Sequence, residues 1–318
     1  MAHDDCIVLG GHSARLWASG QDSGIAISEL LRCGVSWDRW GTCEPYEWAF
    51  SDAAAGRFHE VWREQFSQIG FGSVAVQVEP TEMLAMFHGF CGPRPHPSRF
   101  AVRCPEEEWK PHAAGLLGLT HSLFVGLQCF HGDVHHDEEF DNQHRVDMND
   151  VEAILQHGAI IGVGYKESLP GVYWGNLFGP PVTQWIGEDR LRTCPCHEHR
   201  ELAPGYHLII AYPDVFAHDT PEAMSAKDAI REHLGVERFF DRRFPHRQTT
   251  PPPLDWSELY RPPPTIDPAE AAAELEKLKE KARQMGGWLE TRKGQIRLHL
   301  EGTSGPEANG EGPESSSD

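Results

Sequence analysis

The chain reads as an α+β protein with a largely antiparallel sheet and helices packed against it. Two observations predict that class. Strand-like segments and well-capped helices alternate at irregular intervals, without the repeated strand–helix unit that a doubly wound fold requires. No repeat with a period of about 20–50 residues is visible, which excludes solenoids and propellers.

The elements follow in order. Cys6 to Leu9 is apolar and strand-like. Gly10-Gly11-His12-Ser13 after it predicts a turn able to hold an anion. Ser51 is a helix cap, and Phe58, Val61, Trp62, Phe66 and Ile69 form one apolar face ended by Gly70. Val74, Val76 and Val78 alternate as a half-buried strand. Thr81 predicts the cap of a short helix running to about Phe87. Ser122 to Phe130 is continuously apolar and predicts a buried strand. Residues 149–157 read as a helix from Asn149 to the stop at Gly158, and Ala159 to Val163 as a further apolar strand. Trp174 to Ile186 is partly helical, with Pro180 and Pro181 either beginning or interrupting the helix. Tyr206 to Tyr212 predicts a strand after a turn at Pro204-Gly205. The clearest helix is Pro221 to Leu234. Thr220 caps it, Pro221 takes its first position, Met224, Ile230 and Leu234 line one side, and Gly235 closes it.

These elements place an α+β domain over 1–243. Residues 244–266 form a Pro-rich linker, with Trp256 and Leu259 able to pin it to the domain surface. Residues 267–300 form an appendage. Asp267, Pro268 and Glu270 open a helix there, and Ala271, Leu275, Leu278, Ala282 and Met285 give it a narrow apolar stripe for docking in cis or on a second copy. Ile296, Leu298 and Leu300 then alternate as a strand behind a turn at Lys293-Gly294. Residues 301–318 are Gly, Ser, Pro and Glu rich and read as a disordered acidic tail.

Composition narrows the function. Asp and Glu number 48 against 28 Lys and Arg, a formal charge of −20. Such a field repels phosphate backbones and anionic lipid, so neither nucleic acid nor membrane is an expected partner, whereas a basic protein is. The N-terminus lacks the basic and apolar regions of a signal peptide, and no apolar run reaches membrane-spanning length. A cytoplasmic protein with eight reduced cysteines is the expectation.

Two ligand-dense runs stand out. The first is His131-Gly-Asp133-Val-His135-His136, which continues into Asp137, Glu138, Glu139, Asp141 and His144. Its imidazoles and carboxylates suit a divalent metal. Gly-Asp133-x-His135 resembles the first metal motif of calcineurin-like phosphoesterases, but the Asn-His pair that family also needs is missing. Between residues 133 and 152, eight carboxylates face only Arg145. Asp137, Glu138, Glu139 and Asp141 therefore offer a docking surface for a basic partner. The second run is Cys194-Pro-Cys196-His197-Glu-His199, whose thiols and imidazoles would take zinc. Its spacing departs from paired Cys-x-x-Cys sites, and the alternative is a surface strand with both cysteines packed inward. No cofactor is required by any complete motif. The nucleophile elbow, phosphate loop, dinucleotide fingerprint and His-Glu-x-x-His are all absent, so no catalytic residue is assigned.

One segment carries a family resemblance. Residues 171–191 place Trp174, Leu177, Phe178 and Gly179 ahead of a helix that ends at Gly187, with Leu191 soon after. This run, with Tyr206–Pro213 and the closing His233-Leu234-Gly235 and Phe239-Phe240, resembles bacterial immunity proteins of type VI secretion and polymorphic toxins. The resemblance spans about residues 171–240. It implies a non-catalytic binding protein whose partner is a cognate toxin. The metal-binding reading of the two ligand-dense runs is the alternative, and self-association through the helix at 268–285 is a third.

Overall fold

The computed structural model describes residues 5–67, 70–79, 81–92, 96–145, 160–261 and parts of 276–300. The chain divides at Pro262 into a unit Met1–Pro262 and a unit Pro263–Asp318.

The first unit is built on one ten-stranded sheet in which every strand pairing is antiparallel. Its strands are β1 (Cys6–Ser13), β2 (Arg39–Gly41), β3 (Trp48–Ala49), β4 (Gly70–Gln77), β5 (Leu84–Cys91), β6 (Ser98–Pro105), β7 (His131–His136), β8 (Gly175–Phe178), β9 (Glu198–Ala203) and β10 (Tyr206–Ile210). They lie in the order β3-β2-β4-β5-β6-β1-β7-β8-β10-β9. The helices are α1 (Gly20–Arg32), α2 (Ala55–Ser67), α3 (Glu106–Gly126), α4 (Asp137–His144), α5 (Pro180–Ile186), α6 (Glu188–Arg192) and α7 (Pro221–Leu234). The α+β class with an antiparallel sheet is thus as expected.

Register decides which face each side chain takes. Ile7, Leu9, Val102, Phe100, Phe87, Val74 and Val76 share one face with Val134, Leu177 and Leu208, and all are buried. Helix α2 packs on this face. Its Trp62 stacks on Phe66 at 4.6 Å and meets Phe87 of β5 at 5.1 Å. Each such aromatic pair adds about 0.5–1.5 kcal/mol beyond the area it buries. Close approach of α3 needs a glycine. A Cβ on Gly132 would sit 2.5 Å from the Gly10 carbonyl and 3.1 Å from Phe124 of α3.

Locally coded elements stand where the sequence places them. Thr220 caps α7 through its hydroxyl, Pro221 opens it and Gly235 ends it. Pro180 and Pro181 begin α5 rather than break it. In the second unit, β11 (Gly287–Arg292) pairs with β12 (Gln295–Leu300), the predicted strand. Residues 276, 277, 279, 280 and 283 are helical, and the Glu276–Lys279 and Glu280–Arg283 pairs form at 2.7 and 2.8 Å. The apolar stripe of that helix, the helix at 149–157 and the tail from 301 lie outside the described residues.

Four elements differ from expectation. Ser122 to Gly126 is the end of the long helix α3, not a strand. Leu116, Leu119, Thr120, Leu123 and Phe124 keep helical spacing on one buried face, but apolar Leu117, Val125 and Gly126 fill the half-buried side as well, so the short run reads like a buried strand. Leu84 to Phe87 belongs to β5, not to a short helix. Pairing with β4 and β6 on both sides outweighs the helix propensity of Leu, Ala and Met. Gly10 to Ser13 continue β1 instead of turning. Gly11 is there because a Cβ would lie 2.4 Å from the Phe100 ring. Ile160 makes only an isolated bridge to Arg145, and Ile160 and Val163 are exposed. The segment 244–261 is held down as Trp256 and Leu259 suggest. Trp256 meets Phe130 edge-on at 6.0 Å, and Leu259 is fully buried.

The signature residues of the family resemblance all serve packing. Leu177, Phe178 and Leu191 are fully buried, and Trp174 meets Trp109 of α3 edge-on. Gly187 joins α5 to α6 at φ +100°, a backbone region closed to most side chains. Gly179 admits no side chain, since a Cβ there would lie 2.0 Å from the Cys129 carbonyl oxygen. Gly179→Ala is expected to destabilise the fold by about 1–3 kcal/mol or more. The melting temperature should fall by roughly 2–4 °C per kcal/mol. An unchanged melting curve would refute the close approach.

Candidate functional site

The predicted His/Asp run is not a loop. It is strand β7, fully enclosed, followed at once by α4. The strand's period of two sends His131, Asp133 and His135 to one face and His136 to the other. His131 stands opposite His12 of β1, and Asp133 opposite Gly10. Phe140 of α4, Tyr165 and Tyr173 close over this row, with ring centroids 5.0–5.6 Å from His135 and His131.

Within the enclosure one ion pair forms. The His135 Nε2 lies 3.4 Å from an Asp133 carboxylate oxygen, and its Nδ1 donates to the His136 carbonyl at 3.0 Å. Burial opposes both charges, but each favours the other more. The Asp133 pKa is held down at about 2, and that of His135 is raised. The two flanking imidazoles go the other way. Burial lowers His12 to about 3 and His131 to about 4, so both are neutral near pH 7. His131 Nδ1 meets the Tyr165 hydroxyl at 3.0 Å, while His131 Nε2 and His12 Nδ1 are buried without a protein partner. The row is a buried polar network, only 8% and 5% exposed at Asp133 and His135.

His136 takes a separate role. Its Nδ1 accepts the Glu138 backbone N–H at 3.1 Å, capping α4, so Nε2 carries the proton and donates to Glu106. Among the described residues, His136, Glu138 and His218 are the one group of three metal-binding types whose donor atoms lie within 4.8 Å of one another. The group fits a metal poorly. Both ring nitrogens of His136 are engaged, and Nε2 holds the proton a metal would have to displace. His218 is a member that sequence spacing did not reveal.

The predicted docking carboxylates separate by environment. Glu138 is exposed. Asp137 is taken by Arg103 and by the Cys6 thiol, each at 2.9 Å, and Asp141 by Arg145 at 3.0 Å. Glu139 corrects the expectation outright, because it is 1% exposed. Its carboxylate accepts from Lys227 Nζ at 3.0 Å, from the Tyr212 hydroxyl at 2.9 Å and from the Trp174 backbone N–H at 3.3 Å. It faces inward because Lys227 of α7, 88 residues away, is buried opposite it.

Cys194, Cys196, His197 and His199 do not join the β7 residues. His199 stands on β9, three strands from Asp133 along the row His199–Ile209–Asn176–Asp133. At about 4.8 Å per strand that is roughly 14 Å, too far for one ion. His199 Nε2 instead meets His207 Nδ1 at 3.1 Å, with the two rings stacked. Cys194 is buried, Cys196 half-buried and His197 exposed.

The other half of the sheet provides what sequence spacing did not show. Helices cover one face of β4, β5, β6 and β1, while on the opposite face Phe71, Arg99 and Arg103 stay exposed. A cleft of about 640 Å³ opens there. Its floor is the cross-strand row Gln77, Leu84 and Arg103, and its walls include Glu44, Tyr46, Glu79 and Glu82. Arg39 lies 3.5 Å from Glu79, and the Arg103 charge is turned to Asp137. The cleft is therefore acidic. Its carboxylates come from two separate segments, Glu44 from the β2–β3 loop and Glu79 with Glu82 from the β4–β5 turn, which no local motif could signal.

Two predictions follow from the buried groups. Lys227→Met leaves Glu139 charged and enclosed, so it should cost about 3–5 kcal/mol in urea unfolding. Lys227→Met with Glu139→Leu should recover most of that loss; no recovery would mean the pair is not the cause. For pH, the folded pKa values of His12 and His131 lie below the ordinary 6.5. Their contribution to stability is complete above about pH 6.5. It is lost as pH falls toward 4, because the unfolded chain binds protons the folded chain refuses. His131→Asn should flatten that part of the stability–pH curve, and an unchanged slope would count against the assignment.

No family model and no curated protein matches the chain. Among solved structures, a T6SS protein of Pseudomonas aeruginosa is similar, with a TM-score of 0.45 and 13% identity, over 86% of this chain and 85% of that one.

Proposed function

We propose that this chain is a non-catalytic binding protein of the immunity type, which holds a basic cognate toxin against the acidic cleft on the uncovered half-sheet. The observation that carries the reading is the cleft. Three glutamates from two segments, Glu44 of the β2–β3 loop and Glu79 and Glu82 of the β4–β5 turn, converge over one open sheet face in a strongly acidic chain. Complementary charge of this kind speeds encounter and fixes orientation more than it adds raw affinity. The polar groups best suited to catalysis, Asp133 and His135, are enclosed and already satisfy each other.

The docking surface therefore centres on Glu44, Glu79 and Glu82, with Glu138 the member of the predicted acidic run still turned outward. Affinity capture from the native host should recover a basic protein, and co-expression with a neighbouring toxin gene should protect cells. Glu44→Lys, Glu79→Lys and Glu82→Lys combined should cut recovery at least about tenfold, the equivalent of about 1.4 kcal/mol, while leaving the melting temperature unchanged. Full recovery with the triple variant would sink the cleft as the docking site.

A further inference from the structure

The run Cys194-Pro195-Cys196 remains outside both the sheet network and the acidic cleft. It gathers no third metal-binding residue among the described residues. Its geometry is specific in another way. The Cys196 backbone N–H donates to the Cys194 carbonyl at 2.9 Å, across Pro195. A hydrogen bond from residue i+2 to residue i closes a γ-turn, and the fixed φ of proline suits its central position. The turn folds the Cα atoms on either side toward each other, as the Cα separation of about 4.4–6.8 Å in a disulfide requires.

The two thiols also differ in surroundings. Cys194 is buried and belongs to the hydrophobic core, packed between α6 and β9. Cys196 is half-buried, with its sulfur 3.3 Å from the Glu198 carbonyl. We propose that Cys194 and Cys196 are a reversible dithiol–disulfide pair, in which Cys196 is attacked first by an oxidant such as hydrogen peroxide and Cys194 resolves it.

The chemistry balances. The Cys196 sulfur attacks one peroxide oxygen, the O–O bond breaks, and water leaves with the thiol proton, giving a sulfenic acid. The Cys194 sulfur attacks the Cys196 sulfur, the S–O bond breaks, and the departing hydroxide takes the Cys194 proton as a second water. Two thiols and one peroxide become one disulfide and two waters. A thiol–thiol hydrogen bond supports the order, since it raises the Cys194 pKa and lowers that of Cys196. Elsewhere burial pushes Cys6 and Cys104 up to about 12 and raises Cys129 well above its ordinary value, which keeps those thiols unreactive.

Mass spectrometry of the full chain tests this directly. Arg192 and Arg200 bracket the pair, so trypsin releases both cysteines in one peptide. After stoichiometric peroxide that peptide should lose about 2 Da, the two thiol hydrogens, and dithiothreitol should restore them. Cys194→Ser should trap a Cys196 sulfenic acid, about 16 Da heavier. Cys196→Ser, at the half-buried site, should abolish the change in a folded chain even if the Cys194 variant does not fold. The proposal fails if the peptide stays reduced while exposed Cys43 oxidises. It fails equally if Cys196 proceeds to sulfinic acid without the 2 Da loss.

Discussion

The ion pair between Glu139 and Lys227 is the constraint on which the second half of the domain depends. Two opposite charges, each under 5% exposed at the side chain, sit 3.0 Å apart. Enclosing them costs several kcal/mol per ion unless every polar atom finds a partner. The surroundings supply those partners. Tyr212 and the Trp174 backbone donate to the carboxylate, and the ammonium also donates to the His218 carbonyl at 2.9 Å. One pair thus ties α4, the start of β8, the end of β10 and α7 together. Hydrophobic burial alone would hold these segments with less specificity, because apolar contacts tolerate sliding and a satisfied ion pair does not.

That anchoring explains why the two halves of the sheet differ. Once α4 is fixed, Phe140 lies over His135, and with Tyr173 and Tyr165 it closes the second half of the sheet face. The polar row under this cover survives because Asp133 and His135 neutralise each other and their neighbours stay uncharged. Around β4, β5 and β6 no such helix covers this face among the described residues, and the cross-strand row Gln77–Leu84–Arg103 becomes the floor of a cleft. One continuous sheet therefore carries a buried polar network at one end and an open acidic cleft at the other.

How much of this could be read from the sequence follows from the range of each interaction. The helix at Pro221 was readable because its cap, first-turn proline and closing glycine lie within 16 residues of one another. In the Trp174–Leu191 run only the helix start at Pro180 and the turn at Gly187 are local, since Trp174 packs on Trp109 and Gly179 on the Cys129 carbonyl. Helix α3 was not readable, because apolar residues fill its half-buried side as well as its buried face, and β5 was not, because its strand character comes from partners on both sides. The histidines of β7 were visible as ligand density. Whether they would gather around an ion depended on a strand period that divides them between two faces. Glu139 turned inward because of Lys227, and nothing within 80 residues of it signals that partner.

The same reasoning relocates the protein's acidity. Sequence density points to residues 133–152, where eight carboxylates crowd one arginine. In the fold, Asp133 is answered by His135 of its own strand, Asp141 by Arg145 one turn on, and Asp137 and Glu139 by cations of other elements. Paired charges contribute little field beyond about 8 Å, the screening length at physiological salt. Glu44 joins Glu79 and Glu82 of the β4–β5 turn only in space, where Arg39 and Arg103 offset them in part. A low-dielectric sheet floor beneath them concentrates their field outward. The density of carboxylates along the chain is therefore a poor guide to the field they project, which depends on which of them a neighbouring cation answers.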